Sequence, residues 1–415
     1  MNLKGWDIIS ITPLTVLNET LKRNWSKFNF DRKTSDYEIN GNFGVWSFIP
    51  GGSLEHIRIS CPITDGVLKF EEKELKLDGL TAVFNVMMNF FSNIEMTGKN
   101  AAEDHLNLQF ELKIPKYITD GSSQKVKLDS DIGGVVEPIE LIGGMSIYKY
   151  AILNGLADCL VANSDNVKMT FANVVLHNNG NWLNVKKCRY SYMDSSNPYM
   201  AILAVCTDKG ISELPLDVDI ESLDLNGKDS YYAVSKEIFT KNICVPCFQA
   251  MFPNSGDSYK MENDVLVNTT DLSVKTITVG AIDYKPCVSS GNAKAQIRDS
   301  NLHIDIVKGT CDLYASITMT WQSYNTFSCE YKDSKLQFVK NYSNFLHDED
   351  IPWYLRFIPL SFIIDICVYY ISDSLASGID LKIDISQVVL KDVQWLGLNA
   401  EIKKAVINNG LIIYF

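Results

Sequence analysis

Cys244-Val245-Pro246-Cys247 is the pair of side chains best spaced for chemistry in this chain. A CxxC with an internal proline resembles redox-active dithiols. Those dithiols sit at a strand-to-helix junction within a βαβ context, which the flanking sequence does not offer. A structural zinc site would need a second such pair, and none occurs among the ten cysteines. The expectation is two buried thiols inside a bent helix. An enzyme reading would rest on these two residues alone, so no catalytic residue, metal or cofactor is expected.

The other candidates weaken in the same way. No two of His56, His105, His177, His303 and His347 lie within four residues of each other. His347-Asp348-Glu349-Asp350 could touch a metal, but acids just before Pro352 fit the start of a helix better. Asp217, Asp219 and Glu221 hint at a calcium loop. That loop needs Gly at its sixth position and Glu at its twelfth, where this chain has Ser222 and Lys228. Alternation with Leu216, Val218 and Ile220 reads instead as the wet face of a strand. No phosphate-cradling glycine loop or nucleophile elbow is present.

Composition narrows the partners. A net charge of −12 over 415 residues argues against nucleic acid, which needs a basic footprint, and against broad docking on anionic membranes. It leaves apolar lipid contact open. The most apolar stretch, Trp353–Ile371, is interrupted by Arg356, Pro359 and Asp365, so no transmembrane segment of about 20 apolar residues is expected. The opening MNLKGWDIIS lacks signal-peptide anatomy. Synthesis in a cytosol with reduced thiols is the expectation.

Four helices are predicted among many strands. Thr12-Pro13 reads as a cap and first-turn proline, followed by an apolar face of Leu14, Leu17, Leu21 and Trp25. Tyr148, Ile152, Leu156, Cys159 and Leu160 stripe a second helix, about Ser146–Val161. A third starts near Asp229, with Pro246 expected to bend or end it. The fourth, Trp353–Ala376, is apolar nearly all round and so must be buried on most sides. Between them, runs such as His105–Ile114 alternate as half-buried strands do. Turn signals at Gly51-Gly52 and Thr64-Asp65-Gly66 separate them. Without βαβ alternation, the fold class is α+β: curved antiparallel sheets, each wrapping a long helix.

A repeat supports two such modules. Residues Val167–Leu176, VKMTFANVVL, recur as Leu381–Leu390, LKIDISQVVL, 214 positions later. Trp182-Leu183 and Trp395-Leu396 follow the two copies, and a helix precedes each. Gly5-Trp6-Asp7 and Gly227-Lys228-Asp229, 222 apart, open the two halves. Order more than identity carries this reading. The expected modules are residues 1–206 and 207–415.

The GWDII opening, the GKDSYYAVSKEIF segment from Gly227 and the VVL…WL strand together resemble a clostridial family. It is the forty-seven-kilodalton protein encoded beside the OrfX proteins in botulinum neurotoxin gene clusters. The resemblance covers the whole chain and implies the tubular lipid-binding (TULIP) fold, in two modules similar to bactericidal/permeability-increasing protein. It implies a non-enzymatic accessory protein of the gene cluster, released with the toxin complex. If sheet and helix fail to close, an apolar groove binds lipid, fatty acid or another hydrophobic ligand. Leu14, Leu17, Leu21, Ile152, Leu156, Phe362, Ile363 and Ile366 are the expected lining. If they close, the modules are packed solid, and outer faces bind OrfX-type partners or the toxin complex as a scaffold.

Overall fold

Ile8, Ile9 and Ile11 are apolar and β-branched at nearly successive positions, which favours a strand buried on both faces. In a computed structural model Ile8–Pro13 is such a strand, buried along its whole length. The structure describes the chain except for residues 1, 26–27, 93–103, 114–116, 120–125, 129–135, 145, 177–182, 219–228, 314–316, 334, 352–360, 378–381, 384–391 and 397–400.

Two compact units form. One comprises Lys4–Tyr231 with Val389–Ala400; the other comprises Met1–Leu3, Tyr232–Val388 and Glu401–Phe415.

In the first unit, Ile8–Pro13 pairs antiparallel with Tyr199–Val205, which pairs with Lys187–Met193. Thr12 therefore belongs to a strand, where its hydroxyl shares a 2.9 Å hydrogen bond with Ser230. It does not cap the helix as expected; Pro13 takes the N-cap position with extended backbone. Helix α1, Leu14–Asn24, buries Leu14, Leu17, Thr20 and Leu21. A larger curled antiparallel sheet runs in the order 28–33, 38–43, 56–70, 81–92, 104–111, 170–176, 393–395. Asn18 fastens α1 to this side of the fold by bonding both backbone groups of Phe48, at 3.0 and 2.7 Å. Thr20 adds a 2.7 Å bond to the Leu396 carbonyl. Helix α2, Lys149–Ala162, buries Ile152, Leu153, Leu156, Cys159 and Leu160, close to the expected stripe.

The Thr64-Asp65-Gly66 turn signal is overturned. These residues lie within one long strand, His56–Phe70, and the register against Glu38–Phe43 slips beside them. Gly51-Gly52 likewise sits in strand Ser47–Ser53, at another slip. Bulges bend and twist a strand without ending it, so glycine here marks curvature, not a turn.

The chain passes into the second unit along strand Tyr231–Ser235, where the sequence predicted helix, and continues as helix α3, Lys236–Met251. The start of α3 lies 222 positions after that of α1, the offset read from the two opening motifs. Ser235 caps α3 by accepting from the Ile238 N–H at 3.3 Å. Pro246 does not end the helix, which continues to Met251. The sheet runs 259–262, 265–268, 293–298, 301–312, 318–332, 335–350, 382–383.

Helix α4, Ser361–Ser377, buries Ile364, Cys367 and Ile371. It exposes Tyr369 and Tyr370 at 65% and 49%, which corrects the expectation of burial on most sides. Asp365 and Asp373 are also exposed, and the tyrosine hydroxyls tolerate water. The expected start of this helix at Trp353 lies outside the described residues. Asp348-Glu349-Asp350 are not its cap: they end strand Lys335–Asp350, paired with Thr318–Thr320. Asp217 stands in irregular chain, ion-paired with Lys4 at 2.7 Å. The expected strand there runs on into residues outside the described set, as does most of the second copy of the repeat.

Candidate functional site

A cavity of about 320 Å³ opens in the first unit where α1 ends. Leu21, Asn24 and Trp25 line it from the helix end, Phe28 from the next strand, Trp46 from the lead into Ser47–Ser53, and Phe110 from Asp104–Glu111. The segment Asn166–Thr170 and Leu396 complete the wall.

Its body is aromatic. The Trp46 ring centroid lies 5.4 Å from Trp25, 5.8 Å from Phe28, 5.7 Å from Phe43 and 6.1 Å from Phe110. The contacts with Phe28 and Phe43 are edge-on, at 81° and 84°, the geometry that ring quadrupoles favour. Trp46 is 2% exposed, and its indole N–H has no hydrogen-bond partner among the described residues.

Its polar members are Asn24, Asn166, Lys168 and Thr170. Thr170 is fixed by a 2.9 Å bond from Gln109. Lys168 pairs with Asp165 at 2.7 Å, and both side chains are largely exposed. The hydrogen bond and charge of Lys168 hold the Asp165 carboxyl below its ordinary range.

Of the residues expected to line a groove, Leu21 reaches this wall. Leu17 and Leu14 are buried one and two turns earlier on the same face of α1. Ile152 and Leu156 are buried on α2. Ile363 and Ile366 are half-buried on α4, and the Phe362 side chain lies outside the described residues. Trp25, Phe28, Trp46, Phe110 and Lys168 were not anticipated. The density of aromatics between Trp25 and Phe48 was the available signal.

A second cavity, about 370 Å³, lies in the other unit among Lys308, Thr320, Trp321, Gln322, Leu346, His347 and Asp348. His347 is bonded to Glu349. Among the described residues no cluster of three His, Cys, Asp or Glu side chains could hold a metal ion.

Cys244 and Cys247 sit in the middle of α3, at 0% and 2% exposure. Burial pushes the Cys244 thiol well above its ordinary value and Cys247 to about 12. The Cys247 thiol donates to the Ile243 carbonyl at 3.1 Å. Neither supplies thiolate near neutral pH. Burial raises Cys61, Cys159, Cys188, Cys206 and Cys329 as well.

As pH climbs past about 9, the ordinary thiol value, the unfolded chain releases thiol protons that the folded chain keeps, so stability falls with pH. The raised hydroxyls of Tyr37, Tyr190 and Tyr192 add to the fall at higher pH. The urea midpoint is expected to be lower at pH 10 than at pH 7.5, and iodoacetamide at pH 8 to leave Cys244 and Cys247 unlabelled. An unchanged midpoint, or rapid native labelling of either residue, contradicts this.

A family model described as "OrfX-like: Protein OrfX2/OrfX3/P47" matches residues 3–349. The chain belongs to the OrfX2/OrfX3/P47 family. It is the family that the opening motif and the Gly227 segment resemble. A curated relative, Protein P47 of Clostridium botulinum (strain Kyoto / Type A2), is 25% identical over 316 residues, covering 72% of this chain and 70% of that one. Solved structures of P47 from C. botulinum A2 and E1 superpose with TM-scores of 0.75 and 0.76. Both are 20% identical, covering 100% and 99% of this chain and 97% and 98% of theirs. They show that this OrfX2/OrfX3/P47 chain shares the P47 fold. Among its described residues no helix is long and apolar enough to cross a membrane.

Proposed function

We propose that this OrfX2/OrfX3/P47-family chain is a non-enzymatic accessory protein of a neurotoxin gene cluster, built of tubular lipid-binding modules, and that it binds a hydrophobic ligand. The observation that carries the reading is the cavity at the end of α1, walled by Leu21, Trp25, Phe28, Trp46, Phe110 and Leu396. Its volume of about 320 Å³ falls within the range of small-molecule sites, about 300–1,000 Å³. The non-enzymatic part is supported by the Cys244/Cys247 thiols, which burial keeps protonated. Protein purified without detergent is expected to carry fatty acid or lipid, seen by native mass spectrometry and recovered by solvent extraction. An empty protein that also fails to take up decanol or decanoate in calorimetry sinks the reading.

One observation favours a scaffold role instead. Val339, Tyr342 and Leu346 on strand Lys335–Asp350 are 39%, 54% and 47% exposed. They stand opposite Ser328, Thr326 and Gln322, so all three share the face that those polar residues occupy. An apolar stripe on an otherwise polar face fits a protein partner, such as an OrfX-type protein. Under that reading, Tyr342→Lys with Leu346→Lys removes co-purification with the partner and leaves ligand content unchanged.

A further inference from the structure

We infer that the α1 cavity takes a single-chain amphiphile with an anionic head, tail inward and head at Lys168. The inference rests on the hydrophobic-ligand reading and adds the class of ligand.

Size sets the number of tails. At ~30 Å³ for each water-sized group, a volume of about 320 Å³ holds roughly ten such groups. That is one medium-length hydrocarbon tail; two tails would leave one in water.

Polarity sets the direction. Phe28, Trp46, Phe110 and Leu21 are buried and Trp25 is half-buried, whereas Lys168 is 62% exposed. A tail therefore gains most by lying among the rings, with its head beside Asn166, Lys168 and Thr170.

Charge sets the sign. Among the described residues, Lys168 is the cation in the cavity wall. Its present partner, Asp165, is 87% exposed, so the pair is weak and readily exchanged. The carbonyl end of α1 lies near the site and on its own disfavours an anion. Lys22 and Arg23 in the last turn of α1 offset it.

The two members of this ion pair give opposite expectations. Lys168→Glu should weaken decanoate binding about fivefold, in keeping with one exposed charge contact. Asp165→Asn releases Lys168 and should strengthen it by a similar factor. A loosened fold would shift both variants the same way. Decanol, which has the same tail length and no charge, should bind both variants as it binds the parent chain.

The experiment is titration calorimetry of the full chain at low salt with decanoate, decanol, decyltrimethylammonium and dioctanoyl phosphatidate. The expected order is decanoate, then decanol, then decyltrimethylammonium, with the two-tailed lipid weaker than decanoate. Salt should compress the spread between heads. Equal binding of the three heads, or variants that move decanoate and decanol together, overturns the role of Lys168. Tighter binding of the two-tailed lipid overturns the size argument. In each of those outcomes a hydrophobic ligand is still bound; failure of all four probes removes the parent reading as well.

Discussion

Replacing Trp46 by alanine is expected to destabilise the fold by about 3–5 kcal/mol, the usual range for truncating a buried tryptophan or phenylalanine. The site favours the upper part of that range. Trp46 is 2% exposed and touches four rings, from Trp25, Phe28, Phe43 and Phe110. Those rings come from separate stretches of chain, so collapse around the void would have to move several elements together. Phenylalanine at the same position should be far milder. It keeps most of the ring contact and removes an indole N–H that is buried without a partner among the described residues, whose desolvation works against the fold by about 1–3 kcal/mol. Urea unfolding of the parent, Trp46→Ala and Trp46→Phe chains measures both. An alanine loss below ~1 kcal/mol, or a phenylalanine loss equal to it, would show that the aromatic cluster does not hold this end of α1.

How much of this was legible in the sequence depends on how local each signal is. The alternation Leu106, Leu108, Phe110 read correctly as strand, and the stripes of α1 and α2 read correctly as helix faces. Those patterns lie within single elements. Ile8–Pro13 and Tyr231–Ser235 were missed because both are buried strands that lead directly into helices. Burial on both faces removes the alternation that periodicity needs. Thr64-Asp65-Gly66 misled because turn residues also serve at bulges, and a curled sheet needs bulges. Asp348-Glu349-Asp350 misled because an acidic run before proline fits a helix start and the exposed end of a strand equally well.

The cavity was less legible than the fold. Leu21 was found because it lies on a helix face with regular spacing. Trp46, Phe110 and Leu396 meet it across tens to hundreds of residues of sequence, and no pattern within one segment encodes that meeting. Lys168 was visible only as a matched position in the repeated segment. Its partner Asp165 and its place beside an apolar cavity are what give it a candidate role.

Adding one methyl group at Gly309 is expected to destabilise the other unit by about 3 kcal/mol, the upper end for overpacking. Gly309 stands directly opposite Trp321 across the pairing of Asn301–Asp312 with Thr318–Lys332, next to a register slip. A Cβ there would lie 2.1 to 2.6 Å from three atoms of the indole ring. Trp321 lines the second cavity but is otherwise enclosed. It is 0% exposed, and its ring stacks on Phe345 at 5.8 Å and 12°. Strand separation in a sheet is fixed by the backbone ladder, so the clash falls on the ring or on the bulge. The two sites should therefore couple. In a double-mutant cycle, Gly309→Ala combined with Trp321→Leu should cost less than the sum of the two single changes, because leucine vacates the space that the methyl group needs. Thermal or urea unfolding of the four chains measures the coupling. Additive losses would mean that glycine at this position serves the backbone of the bulge and not the seat of the indole.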